Sequence, residues 1–301
     1  MHQLISDLQA AQVGEILTNE KLAPYTTWKI GGPADLLIIP EDKQKLAATV
    51  RLLRQHETPW TIIGRGSNLL IGDKGIRGAV IKLSRDFENL RFEGETAYVG
   101  GAYSFIKLTV MAGKEGLTGL EFAGGIPGSV GGAVYMNAGA HGSDVSRILK
   151  QAEVLLDTGE LITMRNSDLQ YAYRHSVLHT LPGIVTEAVF ELQYGDRKQI
   201  ASALAAHKAR RLRTQPLQLA CAGSVFRNPE GNHAAKLIEE AGLKGTMIGE
   251  AVISPLHANF IVNTGEASAE DVLALIALAQ RTVLEKFGVE LQPEVLVVGE
   301  R

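Results

Sequence analysis

Cysteine is nearly missing from this chain: Cys221 stands alone among 301 residues, so no intramolecular disulfide can form. A reducing cytoplasm is the expected setting for such a protein. Excess charge of one sign is missing too, since a formal net charge of -3 offers no general attraction to nucleic acid or to an anionic membrane. The purely apolar run "VLALIALA" (272–279) is far too short to cross a bilayer. The opening "MHQLISDLQAAQVGEIL" carries acids and no basic stretch ahead of an apolar core, so no secretory signal is expected. What the chain does have, 45% hydrophobic and 21% charged residues, is the composition of a globular protein. Its length suits two or three domains better than one.

Alternation and helical spacing predict a mixed α and β chain. In "KQKLAATVRLLRQH" (43–56), Leu46, Val50 and Leu53 share one helical face. "TPWTIIG" reads as a strand, "GRGSNLLIGDKG" (64–75) as a loop and "AVIKL" (79–83) as a second strand. "TAYVGG" follows as a strand, and "YSFIKLTVMAGKEG" as a helix closed by Gly116. "AEVLLDTGELITM" predicts two strands joined at Asp-Thr-Gly, and "GIVTEAVFELQY" (183–194) one long strand. From Gly195 the texture turns to Ala, Lys and Arg until Pro216, which marks a domain boundary near 196–215. Beyond it lie a helix in "NHAAKLIEEAG" (232–242), a second helix capped by Ser268 and ended by Gly288, and a last strand "EVLVVG". No internal repeat is visible.

The stretch "EFAGGIPGSVGGAVYMNAGAHG" (121–142) holds seven glycines among apolar residues. Glycine costs backbone entropy, so the cluster serves either tight turns or a ligand that touches bare main chain. Those two explanations stay open for the segment by itself. A second glycine loop, "IIGRGSNLLIGD" (62–73), also follows a strand. It is no dinucleotide fingerprint, because Leu69 stands where a third glycine is needed, and it lacks the Lys-Ser/Thr of a P-loop. Two such loops suggest one extended, phosphate-containing ligand.

The set "YTTWKIGGPAD" (25–35), "GRGSNLL" (64–70), the stretch 121–142, "YRHS" (173–176), "AGSVFRNP" (222–229), "HANFIVN" (257–263) and "PEV" (293–295) resembles the UDP-N-acetylenolpyruvoylglucosamine reductases. The likeness runs in order along nearly the whole chain. It implies an α+β fold: a two-lobed FAD-binding domain of the p-cresol methylhydroxylase type (1–83 and 84–195) and a C-terminal substrate-binding domain (196–301), whose last strand packs back on the first lobe. It implies FAD as cofactor, held by Gly64, Arg65, Gly66, Ser67, Asn68 and Leu69 around the pyrophosphate. Gly125, Ile126, Pro127, Gly128, Ser129, Gly132, Asn137 and Gly139 would line the rest of that cofactor. Apolar residues between them would exclude water from hydride chemistry.

The implied reaction is NADPH-dependent reduction of an enolpyruvyl ether on a UDP-sugar in cytoplasmic peptidoglycan precursor synthesis. Hydride would come from flavin N5 and a proton from Ser224, with the enolate stabilised by Arg174 and Glu294. Read without the family, Ser224 is a turn cap, Arg174 a surface ion-pair partner and Glu294 an exposed acid. With it, the planar fork of Arg174 suits the substrate carboxylate, and Asn228 contacts the substrate. Cys221 reads as a small buried hydrophobe. His175 and His179 have i, i+4 spacing, yet no glutamate lies between them and no third ligand is visible, so no metal is expected. The basic run "HKARRLR" (207–213) reads either as a partner for the UDP diphosphate or as a solvated helix end. No tyrosine lies between Arg174 and Tyr194, so the chain resembles a compact form without an inserted covering loop. The implied partners are small molecules only, with no nucleic acid or membrane, and the expected state is a monomer or weak homo-oligomer. Two rivals remain: a flavin-linked oxidase of the same fold, and a non-enzymatic nucleotide-binding module.

Overall fold

A computed structural model describes all residues, Met1–Arg301. They form seven α-helices: α1 (His2–Ala10), α2 (Lys43–Gln55), α3 (Phe105–Glu115), α4 (Val130–Met136), α5 (Arg197–Thr214), α6 (Ala234–Glu240) and α7 (Ala269–Phe287). No helix is long and apolar enough to cross a membrane. By compactness the chain divides into two units. The first comprises 1–18, 36–64 and 78–209; the second comprises 19–35, 65–77 and 210–301.

The first unit holds two cores. One lies against a four-stranded sheet whose strands, within this unit, run in the order 14–18, 36–40, 78–82, 60–63. Leu46, Val50 and Leu53 of α2 are buried there with Leu4 and Leu8 of α1, as the helical spacing predicts. The Asp42 side chain caps α2 by accepting from Lys45 N at 2.8 Å. The other core covers a five-stranded antiparallel sheet with the order Leu161–Arg165, Leu149–Leu156, Gly183–Glu191, Thr96–Gly100, Leu90–Glu93. From its central strand Val185, Ala188 and Phe190 join Phe105 and Leu108 of α3 and Val130 and Val134 of α4; a register shift opposite Glu153 and Val154 interrupts the alternation between Val185 and Ala188. The predicted glycine closure of α3 is present: Gly116 sits at φ 76° in the left-handed region.

In the second unit, α6 and α7 pack over a small antiparallel sheet of Met247–Ile248, Ala251–Ile253 and Ile261–Asn263. Ser268 and Asp271 form a reciprocal capping box that starts α7, and Gly288 ends it at φ 66°. Trp28 is fully buried in the same core, its Nε1 donating to Ile261 O at 2.9 Å. The predicted loop 64–75 contains a short strand, Leu69–Ile71, which pairs in parallel with the last strand, Leu296–Val298.

Candidate active site

In the first unit the two glycine-rich segments meet. A β-carbon added at Gly64, which follows the strand Trp60–Ile63, would lie 2.6 Å from Ser129 Oγ. That hydroxyl already caps α4, accepting from Gly132 N at 3.2 Å. Part of the glycine requirement is therefore the protein's own packing, and Gly139 is similar, its added β-carbon meeting Ser143 O at 2.7 Å. Gly132 is different. It lies exposed within α4, and an added β-carbon would meet only Ser129 Oγ, at an ordinary 3.4 Å. A glycine inside a helix costs about 1 kcal/mol relative to alanine, and nothing in this unit asks for it. Beside Gly132, Ile126 is half-buried against the core, Gly125 and Gly128 are half-buried, and Pro127 is exposed.

Helix α4 ends at Asn137, which adopts φ 46° and is 3% exposed. Its amide is used at both ends inside the protein. Nδ2 donates to Ala172 O at 3.0 Å, and Oδ1 accepts from Ser146 N at 2.9 Å. The side chain expected on the cofactor thus points into the segment that bears Arg174. There Ala172 and His175 each donate N–H to the other's carbonyl at 3.1 Å, leaving Tyr173 and Arg174 as the turn. Arg174 sits at φ 55°, a left-handed conformation rarely adopted by a residue with a side chain. Its Nη2 donates to Gly139 O at 2.8 Å, and its guanidinium lies 5.0 Å from the centroid of the Tyr173 ring. Ser176 is fully buried, with Oγ donating to Tyr135 O at 2.6 Å. The His179 ring stacks on Tyr135 at 4.2 Å, and His175 lies 4.7 Å from His179. Residues 177–179 form one 3-10 turn, so the two histidines do not share an α-helical face. Burial pushes the Tyr135 hydroxyl above its ordinary value.

In the second unit Arg65 is exposed, and Ser67, Asn68 and Leu69 are half-buried. Gly66 adopts φ 61°, and a β-carbon there would run into Tyr25 O. Asn68 Nδ2 donates to Glu294 O at 3.1 Å, and Asn68 O accepts from Leu296 N at 3.0 Å. Glu294 N in turn donates to Val225 O at 2.7 Å, and Arg227 N to Gln292 O at 2.9 Å. Ser224 and Glu294 therefore stand on adjacent extended segments, with Asn68 tied to the same main chain. Asn228 lies in the loop before α6, and its Oδ1 accepts from the N–H of Ala234, the first residue of that helix, at 3.1 Å. Burial raises the Cys221 thiol, and the Arg211 charge opposes that shift. The sulfur packs half-buried against the core, as a small hydrophobe would.

One residue that the sequence reasoning passed over controls this segment. Asn259, 4% exposed, accepts from Phe226 N at 2.9 Å and donates to Phe226 O at 2.8 Å, while its own carbonyl accepts from Val225 N at 2.9 Å. It clamps the two residues that follow Ser224. Its signal in the sequence is an amide set in the otherwise apolar run "ANFIV". Asn259 N donates to His257 Nδ1 at 3.3 Å, and burial lowers the His257 pKa, with Lys244 adding to the shift.

Comparison with known proteins gives two family matches: an FAD binding domain over residues 34–165, and the C-terminal domain of UDP-N-acetylenolpyruvoylglucosamine reductase over residues 215–298. UDP-N-acetylenolpyruvoylglucosamine reductase 1 of Bacillus anthracis is 52% identical over 300 residues, covering 99% of this chain and 100% of that one. The Bacillus subtilis (strain 168) reductase is 49% identical, covering 99% of each chain. Among solved structures, the reductase of Thermus caldophilus superposes with a TM-score of 0.80 at 38% identity, covering 94% of this chain and 98% of that one. A Phl p 4 variant, described as a glucose oxidase, reaches a TM-score of 0.50 at 12% identity over 64% of this chain and 44% of its own, which shows a shared fold alone.

Proposed function

The chain belongs to the UDP-N-acetylenolpyruvoylglucosamine reductase family and carries an FAD binding domain, and on that premise we propose that it reduces UDP-N-acetyl-3-O-(1-carboxyvinyl)-glucosamine to UDP-N-acetylmuramate at the expense of NADPH. The bare main chain at Gly132 fits a cofactor laid on it, because a β-carbon there would meet nothing of the protein closer than Ser129 Oγ, at 3.4 Å. In the first unit Gly64, Gly125, Ile126, Pro127, Gly128, Ser129, Gly132 and Gly139 would hold FAD. In the second unit Arg65, Gly66, Ser67, Asn68 and Leu69 would hold it. When bound, FAD supplies hydride transfer, from NADPH to the vinyl carbon of the substrate.

The protein's own residues supply the rest. Saturating the double bond takes one hydride and one proton, and NADPH with one proton from solvent balances both. Ser224 would donate the proton to the α-carbon. A serine hydroxyl is a weak acid, so the partner groups around it must stabilise its conjugate base or replace its proton. Glu294, on the adjacent segment, would polarise the developing enol. Arg174 would hold the substrate carboxylate, where negative charge grows in the transition state. Asn228 would contact the sugar nucleotide. Stretches 1–83 and 84–195 act as the FAD-holding lobes and 196–301 as the substrate-binding lobe. The setting is the cytoplasm, and the partners are small molecules, with a monomer or weak homo-oligomer in solution.

The observation that carries this assignment is the bond from Glu294 N to Val225 O, which supports a shared role for Ser224 and Glu294. The test is NADPH oxidation followed with and without the enolpyruvyl ether. Substrate-dependent oxidation is expected. Ser224→Ala should still allow NADPH to bleach the flavin while slowing its reoxidation by substrate about 100-fold or more. Equal full rates for both half-reactions would remove Ser224 from the role of proton donor.

A further inference from the structure

We infer that Asn137 is a positioning residue for Arg174, fixing the turn from which that arginine acts, rather than a contact for the cofactor. The inference rests on the proposal that Arg174 holds the substrate carboxylate. Arg174 occupies a left-handed backbone conformation, φ 55°, at the second position of a two-residue turn. Such turns ordinarily place glycine or asparagine there. A residue with a long side chain persists in that region only where its surroundings over-determine it.

Four ties to this turn and its flanks come from one short segment, 135–139. Asn137 Nδ2 donates to Ala172 O, directly before the turn. Tyr135 O accepts from the buried Ser176 Oγ, directly after it. Gly139 O accepts from the Arg174 guanidinium itself. The Tyr135 ring stacks on His179, just beyond. Of these four ties, only that of Asn137 reaches the closing pair of the turn, Ala172 and His175. Asn137 is itself locked, because its Oδ1 accepts from Ser146 N and its backbone lies at φ 46° as the left-handed end of α4. Asparagine is among the few residues with a side chain that visit this region readily, so one residue both ends the glycine-rich helix and holds the arginine turn. One N–H and one carbonyl lone pair of the amide are already bonded inside the protein, and at 3% exposure the residue presents almost no surface to a ligand.

The test separates these roles. Asn137→Gly keeps the left-handed helix end, which glycine favours, and deletes only the side-chain bridge. Asn137→Asp keeps an oxygen for Ser146 N and loses the donor to Ala172, so it isolates that tie should the glycine variant fold poorly. Hydrogen exchange of the Ala172 and His175 amides, read by NMR, should rise about tenfold or more in both variants, reporting a looser turn. In the flavin-loaded enzyme, the ratio of the substrate reoxidation rate to the NADPH reduction rate should fall about 10- to 100-fold, the scale of a small misplacement of an orienting group. The KM for the enolpyruvyl ether should rise. Loss of flavin with both half-reactions falling together would instead make Asn137 a cofactor contact and overturn the inference. Unchanged exchange and an unchanged rate ratio would overturn it as well. If wild-type reduced flavin is not reoxidised by the enolpyruvyl ether, the proposed reaction fails, and amide exchange alone then decides whether Asn137 holds the turn.

Discussion

Replacing Asn259 by alanine is the perturbation with the best-defined cost. Its amide satisfies both main-chain groups of Phe226, N–H at 2.9 Å and C=O at 2.8 Å, at a site only 4% exposed. Alanine leaves both groups without these partners in the core of the second unit. An unsatisfied buried main-chain group costs about 1–3 kcal/mol, and water entering the vacated space recovers part of that. The combined loss should be about 2–4 kcal/mol, at the upper end of ordinary point substitutions. The chain has two tryptophans, Trp28 fully buried in the second unit and Trp60 in the first. In a Trp60→Phe background, urea unfolding followed by Trp28 fluorescence therefore reports on the unit that contains Asn259. The midpoint should fall with the slope unchanged, so that the shift measures stability rather than compactness. A loss below about 0.5 kcal/mol, the range of surface substitutions, would refute the clamp.

Two further outcomes follow from the same geometry. Gly132→Ala should stabilise the flavin-free protein by up to about 1 kcal/mol, since helix propensity rises and the new β-carbon makes only a 3.4 Å contact, while the affinity for FAD should fall; thermal unfolding without flavin and fluorescence titration with it read the two signs separately, and unchanged affinity would mean that the cofactor does not touch this residue. His257 is held neutral by burial and by Lys244, with Glu239 opposing, and its Nδ1 accepts from Asn259 N. A histidine whose folded pKa is depressed contributes stability above its unfolded value of about 6.5, and that stability is lost as pH falls below it toward the folded value. The urea midpoint should therefore decline more steeply below pH ~6.5 in the wild type than in His257→Asn, and parallel curves would show that His257 does not contribute.

Much of the secondary structure is legible in the residues because its signals are local. Helices α2, α3 and α7 carry apolar residues at helical spacing, and Gly116, Ser268 and Gly288 mark boundaries that the backbone observes. What escaped depends on distant partners or runs against propensity. Helix α4 contains Gly131 and Gly132 in seven residues, so no helix is predicted there, and packing of Val130 and Val134 makes it helical. Leu69–Ile71 is too short to announce a strand and exists by pairing with Leu296–Val298, at the far end of the chain. No composition shift marks 19–35 and 65–77 as belonging with 210–301 in the second compact unit. At the site, family resemblance pointed to Ser224, Arg174 and Glu294, but the bonds of Asn137 to Ala172 and of Asn259 to Phe226 cross 35 and 33 residues, beyond the reach of any local pattern. Asn68 likewise turned out to bond to the Glu294 main chain.

The central claim is that reducing equivalents delivered by NADPH leave this protein on an enolpyruvyl ether. Anaerobic stopped-flow absorbance of the flavin-loaded enzyme tests it in one sequence of additions. One equivalent of NADPH should bleach the flavin band, and the carboxyvinyl UDP-sugar, mixed next without oxygen, should restore it with formation of one equivalent of UDP-N-acetylmuramate. A band that stays bleached until oxygen is admitted would contradict the account and favour an oxidase.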